Sequence, residues 1–109
     1  MLEYSDKSRP ESIATAVAAA RSVALGLLGS LKGVLGDLDR ITRVVKLLCM
    51  VNSEPGFGDQ PRVANGATDL LGKLYGERGN HARSSVGLEK GGGPQSASVE
   101  IEMIVEVSD

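Results

Sequence analysis

A chain of 109 residues with 41% hydrophobic side chains can bury one core, and it is too short for two ordinary domains. Its formal net charge of −2, with 24% charged residues, sets up no field that would attract a polyanion, so nucleic acid is a poor partner. The one cysteine, Cys49, excludes an intrachain disulfide and a multi-cysteine zinc site and suits a reducing compartment.

The opening MLEYSDKSRPES has no basic start followed by an apolar run, and nowhere do eighteen apolar residues follow one another. The expectation is a cytoplasmic chain, neither secreted nor membrane-spanning. Residues 1–12 read as an N-terminal arm and residues 13–109 as a single domain. Aromatics make up only 3%, so Val, Leu, Ile and Ala must fill a thin core, which apolar burial on a partner subunit would help.

Ser8-Arg9-Pro10-Glu11 has the form of a capping box, in which the Ser oxygen takes an orphan backbone N–H and Glu11 reaches back. A helix is expected to follow, because Ile13, Val17, Ala20, Ala24, Leu27, Leu28, Leu31 and Leu35 recur at helical spacing up to Gly36-Asp37. Gly26, Gly29 and Gly33 each cost such a helix about 1 kcal/mol relative to Ala, which suggests a face pressed close against a sheet. Ile41 to Val51, ITRVVKLLCMV, is β-branched and nearly continuous in apolar character, as a central strand covered on both faces would be.

Turn formers crowd residues 52–60, and Asp59 before Pro61 looks like a second helix start. Val63, Ala67, Leu70, Leu71 and Leu74 supply the apolar stripe, and Gly76 stops it. Ala82 to Leu88 reads as a short strand, and Gly91-Gly92-Gly93-Pro94 as a flexible turn. In the last strand Val99, Ile101, Met103, Val105 and Val107 alternate with Glu100, Glu102, Ile104 and Glu106. That period of two puts three carboxylates on one face, which is wet or lines a polar site. Helix, strand, helix, strand, strand is an α+β order, with helices layered on one side of a small sheet.

The run VNSEPGFGDQPRVANGATDLLGKLYGERGNHARSSVG at 51–87, followed by VEIEMIVEV at 99–107, resembles the signature half of the Rid (reactive intermediate deaminase) family. These proteins are also called YjgF-like or endoribonuclease L-PSP-like. GDLDRITRVVKL at 36–47 is similar to the family's first-helix exit and following strand. The resemblance implies an α+β, chorismate-mutase-like fold, with two helices packed on one face of a small mixed β-sheet. It also implies a homotrimer with a site in each subunit cleft, no cofactor, and a hydrolase of the 2-iminobutanoate/2-iminopropanoate deaminase type. Such an enzyme turns reactive 2-imino or 2-enamino acids into 2-keto acids and ammonia.

There are two departures. Full members carry strands before the first helix, ending in a motif like Val-Ser-Gly-Gln, where this chain has only residues 1–12, which do not resemble them. In the hairpin, Glu89 to Pro94 replaces a shorter segment with a Leu-Pro pair. A shortened sheet leaves three readings open: a deaminase, a non-catalytic small-carboxylate-binding or assembly subunit that uses the exposed sheet edge, and an incomplete gene product. The ribonuclease in the family's older name ranks below the first two, because the chain lacks a basic stripe and aromatics for base stacking.

Carried over residue by residue, the resemblance makes Arg83 the arginine that binds the substrate carboxylate, a task its planar, always charged fork suits. The alternative is a surface arginine on an edge strand. Glu100 matches a glutamate that positions or activates the attacking water, or it is one of three solvated strand carboxylates. Asn65 matches an asparagine near the cleft, or it is a solvent-facing residue near a helix start. Ser85 stands where many deaminating members have cysteine, so it can hydrogen-bond water or substrate but lacks thiol reactivity. His81, the one histidine, reads as exposed or structural, and no set of metal ligands occurs.

Overall fold

In the computed structural model, which describes residues 10–53, 56–89 and 99–109, two helices and three strands follow in the expected order. They are α1 (Pro10–Leu35), β1 (Ile41–Ser53), α2 (Gln60–Tyr75), β2 (Ala82–Glu89) and β3 (Val99–Val107). Single 3₁₀ turns at Leu38–Arg40 and Gly76–Gly79 lead into β1 and toward β2. The Gly91–Pro94 turn, Ser8 and most of the arm assigned to 1–12 lie outside the described residues, and residues 10–12 begin α1.

The strands form one mixed sheet in the order β2-β1-β3. β2 runs parallel to β1 and β3 antiparallel to it. A parallel neighbour needs a crossover, and α2 provides it between β1 and β2. The register then decides which side chains share a face. Leu47 pairs with Arg83 on one side and Met103 on the other, and Cys49 pairs with Ser85 and Ile101. This is the face that the helices cover: Leu47, Cys49 and Ile101 are buried there against Leu28 of α1 and Val63 and Leu71 of α2.

The expectation that β1 is covered on both faces does not hold within this chain. Leu48 and Met50, which point away from the helices, are only half-buried, and Val86 and Ile104 beside that face are exposed. Period-free apolar sequence marks the middle strand but not how many layers cover it. Leu74, assigned to the stripe of α2, is also exposed.

The close approach inferred from the glycines of α1 lies elsewhere. Gly26, Gly29 and Gly33 are exposed, and a Cβ on any of them would meet nothing within 4 Å among the described residues. Ala16, Ala20 and Ala24, four residues apart, instead form the fully buried ridge of α1. Against the neighbouring turn α2 presents Gly66, where an added Cβ would run into the carbonyl oxygen of Val17. Small residues on both helices let the two backbones meet.

By length and composition α1 is apolar enough to cross a membrane, with mean hydropathy 1.5 over Ile13–Leu35. A search for uninterrupted apolar runs misses this, because Arg21, Lys32 and scattered Gly and Ser break them. Here one side of the helix packs on α2 and β3. The far end of the layer is tied by polar contacts to main-chain oxygens. Arg40 donates to the Leu35 and Ser108 carbonyls at 3.1 and 2.9 Å, and the Tyr75 hydroxyl donates to Leu38 O at 3.1 Å. The Arg78 guanidinium lies 5.2 Å from the centre of the Tyr75 ring and bonds Ile41 O.

Burial pushes the Cys49 thiol from its ordinary 9.0 up to about 11, partly offset by the positive charge of Arg83. Unfolding lowers it again, so this contribution to stability is complete below pH 9 and is lost as the pH rises toward about 11. At pH 8 iodoacetamide should label Cys49 only as the protein unfolds, because the thiolate is the nucleophile and this thiol is both protonated and enclosed. Labelling followed by mass along a urea titration checks this. Rapid stoichiometric labelling of native protein would contradict the burial.

Candidate functional site

Arg83 faces the helix layer from β2, an edge strand, and its side chain reaches across to α2. Nη1 donates to Asn65 Oδ1 at 2.7 Å and to Thr68 Oγ1 at 3.1 Å. Asn65, Thr68 and Gly72 are three and four residues apart, so one face of α2 presents all three. With Arg83, Gly79, Asn80 and His81 they line an open cleft of about 390 Å³.

The turn that carries His81 is held on α2 by a backbone contact. Gly79 is buried, and a Cβ there would strike the main chain of Leu71, so only glycine lets the turn sit this close. His81 Nδ1 lies 2.7 Å from Gly79 O and Nε2 lies 3.0 Å from Thr68 Oγ1. A carbonyl oxygen only accepts, so Nδ1 carries the hydrogen. In the neutral ring Nε2 is then the acceptor, and the Thr68 hydroxyl donates to it. Thr68 Oγ1 in turn accepts from Arg83. The donors therefore run in one direction, from Arg83 through Thr68 to His81, and His81 donates to Gly79.

The structure brings together Arg83 and Asn65 as the sequence suggests, and it adds Thr68 and His81. Thr68 was missed, although its place three residues after Asn65 on a helix puts it on the same face. His81 has a structural role, as one of its two readings had it, and it lies at the wall of the cleft. Ser85 shares the strand face of Arg83 but pairs in register with buried Cys49. It is not among the residues lining the cleft, and its buried Oγ makes no hydrogen bond among the described residues.

Glu100 is not brought to Arg83. It pairs in register with Met50, on the sheet face turned away from the helices, and it is exposed. Arg83 is on the opposite face, and the two strands are separated by β1. Of the two readings of Glu100, a single chain supports the solvated carboxylate.

No family model matches the chain. It is 47% identical over 93 residues to Protein TCP17 of Trypanosoma cruzi, a match covering 84% of this chain and 57% of that protein. The crystal structure of a protein of unknown function from Agrobacterium tumefaciens superposes with a TM-score of 0.82 at 44% identity, over 89% of this chain and 61% of the other. A candidate endoribonuclease from Shewanella oneidensis MR-1 superposes with a TM-score of 0.77 at 26% identity, over 87% and 62%. The chain thus spans about three fifths of the length of these relatives.

Proposed function

We propose that this chain, which has a YjgF/L-PSP-like fold, carries the carboxylate-binding half of an enamine/imine deaminase of the Rid type. The substrate is a small 2-imino or 2-enamino acid, and the products are a 2-keto acid and ammonia. The observation that carries this reading is Arg83, anchored through Nη1 where it lines an open cleft. Among the described residues, its Nε and Nη2 make no hydrogen bond within the chain. Those two donors form a planar fork that matches a carboxylate.

With the carboxylate held there, the neighbouring imine carbon sits in the cleft. Water adds to that carbon, the nitrogen takes up protons, and the C–N bond breaks to release ammonia and leave a carbonyl. Such imines hydrolyse unaided in water, so orientation and modest proton transfer suffice and no cofactor is required. Asn65 fixes Arg83 and borders the substrate. Glu100 keeps a water-orienting role in this reading only if another copy of the chain brings it to the cleft, as a homotrimer could. RNA cleavage is less favoured, since among the described residues Arg83 is the one Lys or Arg side chain lining the cleft and no Phe, Tyr or Trp lines it for stacking.

Ammonia release from freshly generated 2-iminobutanoate tests the reading, with light scattering on the same sample. The expected result is acceleration over buffer by a species of three chains. Well-folded protein that binds carboxylates without accelerating release would make the chain a non-catalytic binding or assembly subunit.

A further inference from the structure

The cleft wall contains more than the arginine. Thr68 has one hydroxyl hydrogen and two lone pairs. With the His81 ring neutral, the hydrogen is directed to its Nε2 at 3.0 Å, and one lone pair receives Arg83 Nη1 at 3.1 Å. His81 is itself fixed by its 2.7 Å bond to Gly79 O, on a turn locked against Leu71. Asn65 takes the second Nη1 hydrogen. Both hydrogens of Nη1 are therefore committed, and a guanidinium with one nitrogen pinned at two points loses its freedom to rotate about its terminal bonds. This leaves Nε and Nη2 without a partner among the described residues, on a side chain that lines the cleft.

We infer that Thr68, its hydroxyl aimed by His81, is a positioning residue that makes Arg83 take a monocarboxylate side-on through Nε and Nη2. This rests on the proposed carboxylate site and adds how the grip is set. Without the Thr68–His81 chain the guanidinium swings, and each bound carboxylate must first order it, which weakens binding although the charge is unchanged. A hydrogen bond to a charged group that is lost in this way lowers affinity by about 10-fold.

Calorimetric titration with sodium propanoate, using propanamide as the uncharged control, tests this on the whole chain. Thr68→Val keeps the shape but removes both bonds, and it should weaken propanoate about 10-fold, whereas Thr68→Ser should stay within about 3-fold of the parent. His81→Leu, which leaves the hydroxyl unaimed, should fall between them. The Nη resonances of Arg83, separate in the parent when rotation is slow, should merge in Thr68→Val and stay separate in Thr68→Ser; a purely structural defect would not sort the variants in this way. Unchanged propanoate affinity in Thr68→Val overturns the inference, and unchanged affinity in His81→Leu removes His81 from it. If Arg83→Ala loses propanoate while Thr68→Val does not, the carboxylate site stands and the positioning role falls. If the parent binds propanoate no better than propanamide, both fall.

Discussion

Arg83→Ala is expected to lower kcat/KM for 2-iminobutanoate by roughly 100-fold or more, because two charge-assisted hydrogen bonds to the substrate disappear together. The change should cost little stability, since Arg83 is at an edge strand and half-buried, and its partners Asn65 and Thr68 can turn to solvent or to each other. Arg83→Lys should be almost as damaging. A lysine ammonium is a point charge with no fork, so it cannot satisfy Asn65 and Thr68 and still hold a carboxylate by two parallel bonds. Initial rates of ammonia release, with circular dichroism to establish folding, measure both variants. An Arg83→Ala protein that keeps parental rates would place the chemistry elsewhere on the molecule.

Gly66→Ala should produce the largest loss of stability from the smallest change. Alanine is the better helix former by about 1 kcal/mol, so α2 alone would gain. In the fold, however, the new methyl would overlap the Val17 carbonyl oxygen and stand 3.0 Å from Val17 C and 3.2 Å from Arg21 N. All three are main-chain atoms of α1, and none can rotate away. The helices must separate, opening the contact between the alanine ridge and α2. Overpacking of this kind costs about 1–3 kcal/mol; because backbone meets backbone here, we expect a net loss of about 2 kcal/mol, or roughly 10 °C in Tm for a domain of this size.

Gly29→Ala supplies the contrast. Its Cβ meets nothing within 4 Å among the described residues, so it should raise stability by up to about 1 kcal/mol. Thermal melts of the two variants beside the parent decide the matter, and a Gly66→Ala protein as stable as the parent would show that the helices do not touch at this point.

Much of the architecture was legible from local patterns. The alternation from Val99 to Val107 locates β3, and the spacing of Ile13, Ala20, Ala24 and Leu28 locates α1, because a strand repeats every two residues and a helix every 3.6. Arg83 and Asn65 were legible as candidate site residues through the likeness of their surrounding motifs, and their contact at one cleft is what the structure adds. Thr68 lay within reach of the same helical arithmetic, but a lone threonine gives no sign of a polar task until its partners are known.

The remainder depended on which surfaces meet. Sequence by itself determined the elements, their order, and the alternation that places Glu100 opposite Val99 and Ile101, since all of these follow from backbone periods that each segment carries on its own. Only the tertiary structure decided that Gly66, and not Gly26, Gly29 or Gly33, is the point of close approach, since a glycine looks the same whether it faces a helix or water. The same holds for the site. Strand pairing put β1 between Arg83 and Glu100 and turned them to opposite faces, and the crossover through α2 carried Asn65 and Thr68 to Arg83. Those positions follow from register and strand order, which are set by packing between segments far apart in the chain.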